Sequence, residues 1–121
     1  MRLNQVTVPA LDVERSIAFY QTLGLKLIVK SPHYARFELP DGESTFSLHL
    51  TDNVEGVERG PHVYFECEDL DARVATLKAK GIVFDSDPVD QSWLWREAWL
   101  TDPAGVKLCL YYAGKNRLDP P

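Results

Sequence analysis

Four short alternating segments of this chain carry one face rich in chemically competent side chains. Gln5 and Thr7 share a face in QVTV, and Ser47 and His49 do so in TFSLHL. In HVYFEC the set is His62, Tyr64 and Glu66; in VKLCLYY it is Lys107, Cys109 and Tyr111. Amide, hydroxyl, imidazole, carboxylate, thiol and phenol groups together are too polar for an ordinary core. Yet the set holds few of the Lys and Glu residues of a plain solvated face. It is the lining expected of a cavity. The imidazoles offer proton transfer or metal ligation near neutral pH. Cys109 offers a thiolate or simply a small buried hydrophobe.

Glu66 follows His62 on the same face, four residues or about 13 Å further along a strand. It reads as a carboxylate that orients an imidazole or moves a proton, or one that merely ends the strand in solvent. Glu97 in REAWL is a second proton-transfer candidate, its alternative being an ion pair with Arg96 or Arg36. Trp93, Trp95 and Trp99 crowd one short stretch. Such a cluster walls a pocket for a flat or apolar ligand, or packs at a dimer interface. Arg96 has the planar fork for a carboxylate or phosphate, or for a surface ion pair. His33, beside Pro32, reads as a surface loop residue. Ser47 and Thr7 have no visible base partner for nucleophilic catalysis, and the scattered glycines form no phosphate-binding loop.

These residues must be positioned by a repeated unit. The stretch from Gln5 to Leu25 lies over His62 to Ile82 at one constant offset, matching Asp12 with Asp69 and Gly24 with Gly81. The pattern predicts a strand over residues 3–9 and a helix over 13–23, capped by Asp12 and stopped by Gly24. Strands LKLIVK, YARFEL and TFSLHL follow. Residues 51–61, polar and glycine-containing, read as a linker. The second half predicts a strand in HVYFEC, a helix over 70–80 capped by Asp69, and strands in IVFD, REAWL and VKLCLYY. The expected organisation is a single domain over 1–121, with modules 1–50 and 62–113 and an irregular tail 114–121. Paired repeats of this kind converge matching positions on one cleft.

A net charge of −5 with no basic run argues against nucleic acid or an anionic membrane surface as partner. No apolar run is long enough to span a bilayer. MRLNQVTV lacks an export-signal core, and two cysteines make no disulfide framework, so reduced thiols in a cytoplasm are expected. Uncovered strand edges lead us to expect a homodimer.

The paired βαβββ order, LDVERSIAFYQTLGL, and TDPAGVKLCLYY with its Asp-Pro-x-Gly turn resemble the vicinal-oxygen-chelate superfamily of glyoxalase I, extradiol dioxygenases and bleomycin-resistance proteins. The resemblance implies an α+β fold of two βαβββ modules forming a curved, mostly antiparallel eight-stranded cleft. It implies Gln5, His49, His62 and Cys109 as ligands of a divalent metal (zinc, nickel, manganese or iron). Cys109 stands where most metal-binding members have Glu. The function it implies is a glyoxalase-like metal-dependent lyase, isomerase or related enzyme acting on a small oxygenated metabolite. Glu66 or Glu97 would then be catalytic, and Thr7, Ser47, Tyr64, Trp93, Trp95, Arg96, Trp99 and Tyr111 would line the substrate. The alternative is a metal-free, bleomycin-resistance-like protein that binds a small molecule or antibiotic.

Overall fold

The computed structural model describes residues 1–121 and contains two four-stranded sheets. Its elements are β1 (Gln5–Ala10), α1 (Val13–Leu23), β2 (Lys26–Lys30), β3 (Tyr34–Glu38), β4 (Thr45–Leu50), β5 (Val63–Glu66), α2 (Leu70–Ala79), β6 (Val89–Asp90), β7 (Arg96–Thr101) and β8 (Lys107–Tyr112). The sheet orders are β1-β4-β3-β2 and β5-β8-β7-β6, the same order in each βαβββ module. In both, the first and last strands pair in parallel and the remaining pairs are antiparallel. The fold is α+β with open, mostly antiparallel sheets, its eight strands dividing four and four. Two compact units emerge: residues 1–57 with 102–106, and residues 58–101 with 107–121. The boundary falls inside the 51–61 segment, which holds a 3-10 turn over Val57–Arg59.

In the first unit, Asp12 sits in extended conformation ahead of α1, and its carboxylate accepts the Arg15 N–H at 3.1 Å. Gly24 ends the helix in the left-handed region (φ 108°), where a side chain is disfavoured. Val13, Ile17, Tyr20 and Leu23 recur at helical spacing and are buried. The Tyr20 ring lies 4.5 Å from that of Phe46 and 5.9 Å from that of Phe37, with Ala35 and Leu48 also fully buried. The Tyr20 hydroxyl donates to Asp102 Oδ2 at 2.6 Å. Asp102 Oδ1 accepts the N–H groups of Ala104 and Val106 at 2.8 and 2.9 Å. One buried carboxylate therefore shapes the whole Asp-Pro-Ala-Gly turn. Gly105 completes it at φ 94°, and a Cβ there would come within 3.2 Å of Val57 Cγ1.

In the second unit, Leu70, Val74 and Leu77 form the buried stripe of α2. Three local expectations change here. Asp69 does not cap α2: its backbone (φ −100°, ψ 41°) turns the carboxylate away, toward Arg73 Nε at 3.8 Å. IVFD forms only an isolated bridge, Phe84 with Leu100. The N–H groups of Asp85 and Ser86 both turn onto the Trp99 carbonyl, and Pro88 has no N–H to offer, so the ladder resumes only at Val89–Asp90. The tail is not irregular throughout: Gly114–Arg117 is a 3-10 turn, its entry held by Glu66 Oε2, which accepts the N–H groups of Ala113 and Gly114 at 2.9 Å each.

Burial, opposed by the Tyr20 and backbone hydrogen bonds, holds the Asp102 carboxyl above its ordinary range. A carboxyl with a raised folded-state pKa stabilises below its unfolded value, near 3.9, and loses that contribution as pH rises through the folded value. Tyr20→Phe removes a donor and raises that value further. It should cost about 2 kcal/mol at pH 7, with a smaller deficit near pH 4. Urea unfolding of both proteins at the two pH values checks this; a pH-independent deficit would contradict a charged, buried Asp102.

Candidate functional site

Residues paired across neighbouring strands share a sheet face, so the register lays out each candidate side chain. In the second unit, Tyr64, Cys109 and Trp99 form one row across β5, β8 and β7, and Glu66, Tyr111 and Glu97 form the next. Trp95 immediately precedes β7 and stacks on Tyr111, with ring centroids 4.7 Å apart and planes at 20°. Tyr64 stands edge-on to Trp95, Trp99 and Tyr111 at 6.1, 5.6 and 5.6 Å. His62, one residue ahead of β5, presents its ring edge-on to Trp99 at 5.3 Å, with Nε2 3.4 Å from the Glu58 carbonyl. These are the offset and edge-to-face arrangements that aromatic quadrupoles favour. Tyr64 remains 44% exposed and Trp93 55%, so the cluster keeps an open outer surface.

Glu97 fixes two of these rings. It is buried, and it accepts the Trp93 indole N–H on Oε2 at 3.0 Å and the Trp99 indole N–H on Oε1 at 3.1 Å. Its partners are therefore indoles, not Arg96. The turn that delivers Trp93 and Trp95 is strained. Leu94 adopts φ 67°, a left-handed conformation costing about 1 kcal/mol for a non-glycine residue. It is held there by Leu94 N–H to the Gln91 carbonyl (3.0 Å) and Gln91 N–H to the Trp95 carbonyl (2.8 Å). Cys109 lies fully buried in this cluster. Burial, and then the negative charge of Glu97, push its thiol up to about 12. Burial also raises the phenols of Tyr64 and Tyr111, with neighbouring negative charges adding to the effect.

Two further candidates are engaged elsewhere. Arg96 grips Asp71 with Nε and Nη2 at 2.9 and 3.0 Å and reaches Asp90 with Nη1 at 3.1 Å. Glu66 has its Oε2 taken by two backbone N–H groups, and Arg117 approaches its Oε1 at 3.9 Å. Both tie chain segments together.

The first unit presents the same grid with different chemistry. Gln5, Thr45 and Glu38 form one row, Thr7, Ser47 and Arg36 the next, and Pro9, His49 and Tyr34 the last. Thr45 Oγ1 donates to Gln5 Oε1 at 2.8 Å. Ser47 is fully buried, whereas Thr7 and His49 are exposed. Thr7 and Tyr64 hold third place in QVTV and HVYF; they pair with Ser47 and Cys109. Ser47 is therefore the counterpart of Cys109, and His49 that of Tyr111. Sequence reasoning missed Tyr34 and Arg36. The signal was available, since YARFE alternates Tyr34, Arg36 and Glu38 with the buried Ala35 and Phe37.

A divalent ion would draw on Gln5 and His49 in the first unit and on His62 and Cys109 in the second. Along β4, His49 lies four residues beyond the Gln5 partner Thr45, a separation of about 13 Å. The Gln5 amide oxygen already accepts from Thr45. No three His, Cys, Asp or Glu side chains within either unit gather as a ligand set. The Cys109 thiol must lose its proton before it can ligate a metal, and a buried group pushed to about 12 resists that loss.

Comparison with known proteins bears on the fold and the family. The chain is 28% identical over 132 residues to the trivalent organoarsenical cleaving enzyme of Bacillus sp. (strain MD1), covering 100% of this chain and 81% of that protein. A glyoxalase/bleomycin resistance protein/dioxygenase from Alicyclobacillus acidocaldarius superposes with a TM-score of 0.80 at 22% identity, over 98% of this chain and 96% of that one. A bleomycin-binding protein, solved in complex with bleomycin, gives a TM-score of 0.76 at 20% identity, over 93% and 98%. The family model of the Glyoxalase/Bleomycin resistance protein/Dioxygenase superfamily matches residues 2–110, and to that superfamily this chain belongs.

Proposed function

We propose that this protein binds a small, flat, largely apolar molecule on the aromatic face of its second sheet. The observation that carries the reading is the group of Tyr64, Trp95, Trp99 and Tyr111, packed edge-to-face and stacked around a buried Cys109. Glu97 locks the indoles of Trp93 and Trp99, so little side-chain freedom is lost when a ligand arrives. The fold is shared with a bleomycin-binding protein, which supports a binding role without requiring turnover. Metal-free binding is placed ahead of metal-dependent catalysis because Cys109 is buried and walled by aromatic rings and each oxygen of Glu97 already accepts an indole N–H.

A second reading has one specific support. The likeness to an enzyme named for cleaving trivalent organoarsenicals spans the whole chain. On that reading His49, His62 and Gln5 belong to a site for zinc, nickel, manganese or iron, and the protein is a glyoxalase-like enzyme acting on a small metabolite. No helix is long and apolar enough to cross a membrane, and the expectation of a cytoplasmic protein is kept with either reading. A homodimer is part of both: β1, β2, β5 and β6 are sheet-edge strands. Light scattering should give twice 13.7 kDa, and a monomer at tens of micromolar would remove that element.

Trp95→Ala opens the stack on Tyr111. It should weaken binding of the flat dye anilinonaphthalene sulfonate about three- to tenfold, followed by tryptophan quenching. Unchanged affinity would move the ligand off this face. Calorimetric titration with Zn²⁺, Ni²⁺ and Mn²⁺ decides between the readings. Flat traces are expected for the wild type, Cys109→Ala and Cys109→Glu, with Cys109→Ala losing about 1 kcal/mol of stability through packing. Heat with any of the three ions in the wild type would favour the metal reading instead, and its loss in Cys109→Ala would add the thiol to the ligands.

A further inference from the structure

The first sheet carries a polar arrangement that the aromatic face does not use. Arg36 Nε donates to Tyr34 Oη at 2.9 Å, and Ser47 Oγ lies 2.8 Å from the same phenol oxygen. Ser47 has no exposed surface, and the Tyr34 phenol is its side-chain partner. The Gln5 side chain also hydrogen-bonds that phenol. Tyr34 is only half-buried, so the group reaches the surface.

Arg36 is half-buried as well, and both its Nη groups are uncommitted. Arg2, Arg59, Arg73, Arg96 and Arg117 each face a carboxylate; Arg36, like the exposed Arg15, faces none. Its guanidinium carbon lies 5.5 Å from the Tyr34 ring centroid, so phenol and guanidinium are held as one body. We propose that Arg36 and Tyr34 form a carboxylate-binding site on the first sheet, with Arg36 gripping the two oxygens through its Nη groups and Tyr34, which accepts from Arg36 Nε, holding the fork in place.

A carboxylate is the group that fits. Two parallel N–H donors at the end of a planar fork match its paired oxygens, which a neutral amide does not offer. The hydrogen bonds of Ser47, then of Arg36, with a smaller one from Gln5, place the phenol below its ordinary range. The neighbouring titratable groups on this face are His49, opposite Tyr34, and Glu38 at the end of β3. The site lies on a different sheet from the aromatic cluster and holds whether or not that cluster takes a ligand.

Benzoate and its uncharged counterpart benzamide test it, with the Arg36 Nε–Hε signal followed in ¹⁵N-labelled full-length protein. Benzoate should shift that signal and benzamide should not. Arg36→Met should lose benzoate affinity about tenfold or more, and Tyr34→Phe about fivefold. Arg36→Lys, which keeps the charge but not the fork, should fall between wild type and Arg36→Met. It serves in place of Arg36→Met if the latter loses its native spectrum. Tyr34→Phe should also remove the first step in the ultraviolet titration of the tyrosines. The proposal is overturned if benzamide binds as well as benzoate, if the Arg36 signal does not move, or if Arg36→Lys binds benzoate as tightly as wild type.

Discussion

The hydrogen bond from Tyr20 to Asp102 is the constraint on which the candidate site depends. Asp102 spends one oxygen on the phenol and the other on two backbone N–H groups, so the β7–β8 turn has a single conformation. Turn geometry sets hairpin register, and a slip of one residue would reverse every side chain of the strand. The turn thereby pairs Thr101 with Lys107 and, further on, Trp99 with Cys109. A phenol on α1 thus holds the turn that joins β7 to β8. Substitutions at Tyr20 should be read as acting on that register, though Tyr20 touches none of the candidate residues.

The two modules share a strand order and a pairing grid, yet their equivalent faces are chemically opposed. Ser47 and Cys109 hold the same grid position. Ser47 bonds the Tyr34 phenol, which accepts from Arg36 Nε, while Cys109 is roofed by rings. One fold therefore offers a polar recognition surface and an apolar one.

Much of this was legible in the sequence wherever a signal was local. Asp12, the apolar stripe Val13-Ile17-Tyr20 and Gly24 delimit α1 because cap, stripe and stop agree. The alternating strands revealed which residues share a face. Asp69 looked like the same cap as Asp12, but its backbone angles are set by the chain leaving β5, and its carboxylate goes to Arg73. IVFD has strand composition, yet its N–H groups converge on one carbonyl. The partners of Glu66, Glu97 and Arg96 lie far along the chain or depend on a strained turn, and residue type alone does not reveal them. Tyr34 and Arg36 alternate as cleanly as any residues in the chain, but nothing local in the sequence shows that the two bond each other.

The duplicated grid has a consequence for how such a protein changes over time. The first sheet packs on Tyr20, Phe37, Phe46 and Leu48, and the second has its own buried Leu100, Leu108 and Leu110. Outward-facing substitutions on either sheet leave the interior of the other intact. One half is then at liberty to drift toward new chemistry while its twin preserves the ancestral task, so a single gene carries the freedom usually reserved for duplicated ones.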